Sequence, residues 1–198
     1  MAVDAKLVKE LKDISGAGIM DCKKALEESG CSLEEALKWL REKGLKVAAR
    51  KAGREAKEGA VIAYIHTGGK LGVLVEIDCE TDFVARTDEF KLFGRQVAMQ
   101  IAASAPETVA RESVSPETVE SEKAIYRAQL AETGKPAQIV EKIVEGKLEK
   151  YFEETCLLEQ EWVHDPSAGK VRDVLTGLIA RVGENIVIRR FSRFSIGS

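Results

Sequence analysis

The stretch LGVLVEIDCETDFVAR, residues 71–86, decides the fold of this chain because it combines a strand, a sharp corner and the approach to a helix. Its first half alternates apolar, largely β-branched side chains, which is typical of a strand with one buried face. These side chains are Leu71, Val73, Val75 and Ile77. An amphipathic helix is predicted to begin near Asp88, so the corner contains Thr81–Val84, TDFV, where small or polar turn residues are usual.

Two interpretations of this corner are open from its residues. Asp82 and Phe83 could form an acidic and aromatic tip that inserts into a partner protein. Alternatively, Phe83 could pack against the first turn of the following helix as a hydrophobic staple, with Asp82 as the N-cap. The segment alone does not separate these two interpretations.

The sequence on either side of the corner predicts an antiparallel sheet with covering helices. Alternation over residues 61–65 predicts a first strand, joined to the 71–77 strand by Thr67–Lys70, TGGK, as a β-hairpin. A helix with Phe90 and Phe93 follows the corner, another is predicted over 171–179, and a final strand over 186–194. Strands before and after a run of helices indicate an α+β fold.

A helical hairpin is predicted over residues 116–152, inserted in that core. Ser115 and Pro116 are a typical helix start, and the first helix is expected to reach about Thr133. Gly134 would break it and Pro136 would begin the second helix. The two helices are expected to pair antiparallel and to project from the body of the protein.

The N-terminal region predicts three short helices. The first covers residues 3–13, the second 20–28, and the third begins at a capping box formed by Ser32 and Glu35. Gly44 is expected to end the third helix. This pattern resembles a ubiquitin-associated-type bundle over 1–45, followed by a solvated linker helix over 46–58 and the α+β core over 59–198. A nucleic-acid-binding arm is disfavoured for the linker because it contains acidic residues and no aromatic ones.

Composition excludes several classes of protein. With 198 residues, 44% hydrophobic and 32% charged, the chain is typical of a folded domain rather than a disordered one. A formal charge of −3 gives no general attraction for nucleic acid, so no direct nucleic-acid partner is expected. No apolar run approaches the length of a membrane span, and the N-terminus lacks the apolar segment of a secretion signal. We therefore expect a cytoplasmic protein without membrane contact.

The sequence offers no cofactor or metal motif. The four cysteines never occur as CxxC and there are only two histidines, so reduced thiols are expected rather than a zinc site. The Gly16–Gly18 turn lacks the third glycine of a dinucleotide motif, and no phosphate-binding GxxxxGK[ST] loop occurs. Any effect on nucleotide is therefore expected to act through a partner, and the chain is not expected to be an enzyme.

Several segments together resemble the translation elongation factor Ts family. TDFV resembles the family's signature, and Leu11–Leu26, LKDISGAGIMDCKKAL, resembles its opening motif. Val182–Arg190, VGENIVIRR, resembles a third family segment, and Gly134–Pro136 lies in a fourth. The chain has room for one copy of the strand-and-helix core, as in the family's short form, in which a homodimer supplies the second copy. The predicted dimer interface is the sheet or its covering helix.

The resemblance implies a guanine-nucleotide exchange factor that binds elongation factor Tu carrying GDP, disturbs its Mg²⁺ and releases GDP. Asp82 and Phe83 would wedge between helices of that partner, with Thr81 and Val84 shaping the tip. Four further residues are implied as partner contacts: Lys23, His66, Val182 and Gly183. Each has an ordinary alternative: surface for Lys23, a polar residue beside a turn for His66, and a helix C-cap for Val182 and Gly183.

Two other functions remain open at this point. A ubiquitin-associated-type adaptor without exchange activity would explain residues 1–45 but leaves TDFV and VGEN without a role. A small thiol enzyme would use Cys79 with His66, although no orienting acid is evident at a suitable spacing.

Overall fold

The computed structural model describes residues 3–131 and 136–197. Its α-helices are α1 (Ala5–Ser15), α2 (Ile19–Glu28), α3 (Leu33–Lys51), α4 (Asp82–Ala85), α5 (Asp88–Ser104), α6 (Pro116–Leu130), α7 (Ala137–Thr155) and α8 (Val171–Val182). Its strands are β1 (Glu58–Ile65), β2 (Leu71–Cys79) and β3 (Ile186–Ser195). None of the helices in these ranges is both long enough and apolar enough to cross a membrane.

The three N-terminal helices form a bundle with its own core, as predicted. The side chain of Asp4 caps α1 by accepting from the Lys6 N–H at 2.9 Å, and that of Ser32 caps α3 by accepting from the Glu35 N–H at 3.4 Å. One apolar stripe from each helix points inward, because residues three and four apart share a helix face. The fully buried members are Leu11, Cys22, Ala25, Leu26 and Ala36.

The predicted end of the third helix at Gly44 is wrong. Helix α3 continues without interruption to Lys51, so no separate linker helix begins at residue 46. Gly44 is buried, and a Cβ added there would lie 3.7 Å from Ala180 Cβ and 3.8 Å from Thr176 Cγ2 of α8. It also lacks the positive φ of a terminating glycine. The glycine therefore marks a packing contact in the middle of a helix.

The sheet has three antiparallel strands in the order β1-β2-β3, which confirms the predicted α+β class. The β-hairpin is closed by the His66 N–H, which donates to the Leu71 carbonyl at 2.8 Å. Val73, Val75 and Ile77 of the central strand are buried on one face. Helix α5 covers that face closely at Gly94, where a Cβ would lie 2.7 Å from Ile62 Cδ1.

Helices α6 and α7 form the predicted antiparallel pair. Ser115 caps α6 by accepting from the Thr118 N–H at 3.1 Å, and Pro116 occupies the first helical position. Along the pair, the Arg127 guanidinium donates to both carboxylate oxygens of Glu141 at 2.7 and 2.9 Å. The predicted break at Gly134, with Thr133 and Lys135 beside it, lies outside the described residues.

The described chain divides into two compact units. The first contains the chain up to Gly59 together with Asp78–Phe90 and Val174–Val187. The second contains Ala60–Ile77, Lys91–Asp173 and the chain from Ile188 onward. The division into 1–45, 46–58 and 59–198, and the projection of the helical hairpin, stay predictions.

Candidate partner-binding corner

The corner between β2 and α5 is built around a single short helix, α4. Thr81 is its N-cap, with extended backbone at φ −131° and ψ 151° and a side-chain oxygen that accepts from the Val84 N–H at 3.4 Å. The interpretation of Asp82 as the cap is therefore wrong, since Asp82 is the first helical residue. Its carboxylate instead accepts from the Arg86 guanidinium at 2.6 Å, one helical turn later.

Phe83 is the exposed large apolar residue of this corner. Its side chain is 78% exposed, whereas that of the neighbouring Val84 is only 6% exposed. A hydrophobic staple would bury the ring against the helix, so the staple interpretation is contradicted. Val84 supplies the buried anchor, and Phe83 is left as an aromatic side chain in solvent.

A pair of glutamates joins the corner to the turn between α8 and β3. Glu184 accepts from the Thr81 N–H at 3.1 Å with one carboxylate oxygen and from the Thr81 hydroxyl at 2.7 Å with the other. In the reverse direction, Glu80 accepts from the Asn185 N–H at 2.7 Å. Each of the two segments, Glu80–Thr81 and Glu184–Asn185, therefore supplies a carboxylate that accepts a backbone N–H of the other segment, although more than a hundred residues of chain separate the two.

Gly183 allows the second segment to reach the corner. It follows the last residue of α8, Val182, and has φ +74°, the left-handed conformation that favours glycine. Its N–H donates to the Ile179 carbonyl at 2.9 Å, which confirms the C-cap interpretation. The reversal places Glu184 against Thr81, so the structure brings Thr81–Val84 and Val182–Gly183 together.

The electrostatics of the corner follow from these contacts. The Asn185 N–H and the Arg54 guanidinium, at 3.3 Å from Glu80, hold the pKa of the Glu80 carboxyl below its usual value. Burial raises the pKa of the Cys79 thiol, and the Glu184 carboxylate adds to the rise. The Cys79 thiol donates to the Thr81 carbonyl at 3.1 Å. A protonated, hydrogen-bonded thiol is a poor nucleophile, which disfavours the thiol-enzyme hypothesis.

The remaining predicted contacts lie elsewhere. Lys23 is exposed on α2 of the first unit, with its ammonium 3.9 Å from the Glu27 carboxylate. His66 belongs to the second unit, where it is exposed beside the hairpin turn and its Nδ1 shares a 2.8 Å hydrogen bond with the Tyr64 hydroxyl. Within the described ranges, no three His, Cys, Asp or Glu side chains converge as a metal site would require.

The two glutamates and their partners Arg54 and Asn185 are not among the residues predicted from the sequence. Within the VGEN segment, the family resemblance implies a role for Val182 and Gly183 and none for Glu184 or Asn185. The available signal is the acidic residue beside each segment, because an ionised carboxylate is a strong acceptor for backbone N–H groups.

Comparison with known proteins identifies the family. The family profile described as "Elongation factor TS" matches residues 4–169. The elongation factor Ts of Carboxydothermus hydrogenoformans is 59% identical over 195 residues, covering 98% of this chain and 89% of that protein. The elongation factor Ts of Fervidobacterium nodosum is 53% identical over 197 residues, covering 100% of both chains. The chain therefore belongs to the elongation factor Ts family of translation elongation factors.

Proposed function

We propose that this chain is a guanine-nucleotide exchange factor that acts in the cytoplasm during translation elongation. It binds elongation factor Tu carrying GDP, disturbs the Mg²⁺ held there and promotes GDP release, so that GTP can bind. Membership of the family supports elongation factor Tu as the partner. The observation that supports the mechanism is the exposed Phe83, held between an anchored Thr81 and a buried Val84.

The physical basis is a coupling free energy between two ligands of elongation factor Tu. A factor can displace GDP only if it makes contacts in the empty state that it does not make in the filled state. The coupling is reciprocal, so GDP must weaken the binding of the factor by the same ratio. The chain supplies binding contacts for this purpose and needs no catalytic group of its own.

Phe83 can provide such a state-dependent contact. Burying an exposed phenylalanine in a cleft contributes roughly 1.5–3 kcal/mol. At about 1.4 kcal/mol for each tenfold change, this single side chain can alter an affinity by about ten- to a hundredfold. Asp82 lies beside it with an exposed carboxylate that pairs with the exposed Arg86 at 2.6 Å, and this carboxylate is proposed to perturb a nearby metal site.

Other surfaces of the chain extend the contact. The exposed Lys23 is proposed to contact an acidic group of the partner, and the exposed His66 is proposed to contribute a ring nitrogen. Val182 and Gly183 are partly exposed beside the corner and are proposed as further contacts. An adaptor without exchange activity would leave the held and exposed Phe83 without a role, so the exchange factor is the better supported function.

We further propose that the chain is a homodimer that pairs through the open face of its sheet. Several apolar side chains are exposed there, and we call them the sheet face: Val61, Ile65, Leu74, Phe194 and Ile196. Monomeric proteins rarely expose a contiguous apolar patch of this kind, and two-fold pairing of identical patches is the commonest way to cover one.

Reciprocity provides the test of the exchange function. Titration calorimetry should show that the chain binds nucleotide-free elongation factor Tu at least about tenfold more tightly than the GDP-bound form. GDP should lose affinity for elongation factor Tu by the same factor when the chain is present. Equal affinity for both forms would contradict the proposal and favour the adaptor.

A further inference from the structure

We infer that Glu184 and Glu80 are positioning residues that hold the TDFV corner in its active geometry; the inference rests on the proposed exchange function. Neither carboxylate is needed to touch the partner. Glu184 acts through Thr81, and Glu80 acts through Asn185.

The two carboxylates satisfy backbone donors that have no partner in regular structure. Thr81 lies between the end of β2 and the start of α4, and Asn185 lies immediately before β3, so neither N–H belongs to a helix or sheet ladder. Glu184 accepts the first N–H at 3.1 Å and Glu80 accepts the second at 2.7 Å. Unsatisfied backbone donors destabilise a local conformation, so each segment depends on the other for its geometry.

Arg54 closes the arrangement into a ring. The Asn185 side-chain amide donates to the Arg54 carbonyl at 2.8 Å, and the Arg54 guanidinium donates to Glu80 at 3.3 Å. Asn185 is only 5% exposed, so its amide must find partners within the protein. These hydrogen bonds among Arg54, Glu80 and Asn185 hold Glu80 in place immediately before the corner.

The Thr81 hydroxyl transmits this constraint to the tip. It donates to Glu184 at 2.7 Å while its oxygen accepts from the Val84 N–H at 3.4 Å. Thr81 and Val84 are thereby tied on both sides of Asp82 and Phe83. Because the Phe83 ring is mostly in solvent, its direction is set by this backbone rather than by packing. Holding it in advance lowers the ordering cost of insertion into a partner.

The functional test uses five variants in a GDP-release assay with elongation factor Tu. Glu184→Ala removes both acceptors and should lower the kcat/KM of catalysed release about tenfold, whereas Glu184→Gln keeps one acceptor and should stay within about threefold of the unmodified chain. Glu55→Ala removes an exposed acid that contacts Lys57 at 2.7 Å and should have no effect. The double variant Phe83→Ala with Glu184→Ala should be no slower than Phe83→Ala alone, since both changes remove the same contact.

A measurement on the free chain separates this inference from the proposed function. In amide hydrogen exchange, Glu184→Ala should speed exchange at Thr81 and Val84, and Glu80→Ala should do so at Asn185, while amides of the N-terminal bundle stay unchanged. Failure of the unmodified chain to speed GDP release would refute the exchange function. If the unmodified chain is active, full activity of Glu184→Ala, additive loss in the double variant, or unchanged exchange at Thr81 would each overturn the positioning role.

Discussion

The corner and the sheet face both expose apolar side chains, but they do so in different ways. At the corner, Phe83 is 78% exposed between the hydrogen-bonded Thr81 and the buried Val84. Hydrogen bonds to the Glu184 and Glu80 carboxylates fix the backbone around it. The sheet face spreads its exposure over several side chains on three strands, such as Val61 at 68% and Phe194 at 65%. A single fixed ring suits a cleft in another protein, whereas a broad face suits a second broad face. Exposure alone therefore does not identify a partner, and the way the backbone is held must be considered with it.

Replacement of Phe83 should produce the largest effect. Phe83→Ala is expected to slow catalysed GDP release at least about tenfold, because it removes the side chain proposed to enter the partner. Its Tm should change by no more than about 2 °C, since an exposed ring contributes little to folding.

A buried phenylalanine provides the matched control for that variant. Phe93 is only 4% exposed and its ring stacks on Trp162 with centroids 6.2 Å apart. Phe93→Ala should lower the free energy of unfolding by about 3–5 kcal/mol. A large fall in Tm for Phe83→Ala, with normal release by the folded fraction, would remove the contrast between the two rings.

Charging the sheet face should disrupt assembly and leave the corner intact. Val61→Lys combined with Ile65→Lys places like charges from two copies opposite each other, and is expected to weaken the dimer at least about a hundredfold. Light scattering at micromolar concentration should then give the mass of one chain instead of two.

Two further variants sharpen the assignment of the dimer interface. Ile139→Lys on α7 replaces another exposed apolar side chain and should leave the dimer unchanged. Leu92→Lys tests the covering helix α5, which was the other predicted interface. If Leu92→Lys dissociates the dimer and the sheet-face variant does not, the interface lies on α5 and not on the sheet face.

Asp82 should show a smaller effect that depends on the metal. Asp82→Ala is expected to slow release about three- to tenfold in the presence of Mg²⁺, because the carboxylate is proposed to disturb the surroundings of the ion. Chelation of Mg²⁺ before mixing should restore the rate to nearly that of the unmodified chain. If Asp82→Ala slows release equally with and without Mg²⁺, Asp82 does not act on the metal, and its ion pair with Arg86 is its structural role.

The elements with strong periodicity were predictable from the sequence. Alternation fixed β1 and β2, and a serine followed by proline correctly predicted the start of α6. These signals are local, so no distant residue is needed to interpret them. The prediction at Gly44 is wrong because a glycine that ends a helix and a glycine that packs inside one look alike in sequence, and only the neighbouring α8 distinguishes them.

The corner was only partly predictable for the same reason. TDFV stood out as an unusual turn, and its resemblance to the family signature gave Asp82 and Phe83 their predicted role. Whether Phe83 is buried or exposed depends on the residues around it, and the local sequence allowed both. The hydrogen bonds that Glu184 and Glu80 accept come from residues 103 and 105 positions away, so no local pattern could reveal them.

The exchange function can be measured by stopped-flow release of fluorescent GDP from elongation factor Tu. The measurement mixes the Mg²⁺-containing GDP complex with rising concentrations of the unmodified chain and an excess of unlabelled GDP. The release rate constant is predicted to rise with chain concentration and to reach a plateau at least about tenfold above the spontaneous rate. A rate constant that stays at the spontaneous value, under conditions where the chain is shown to bind, would contradict the account.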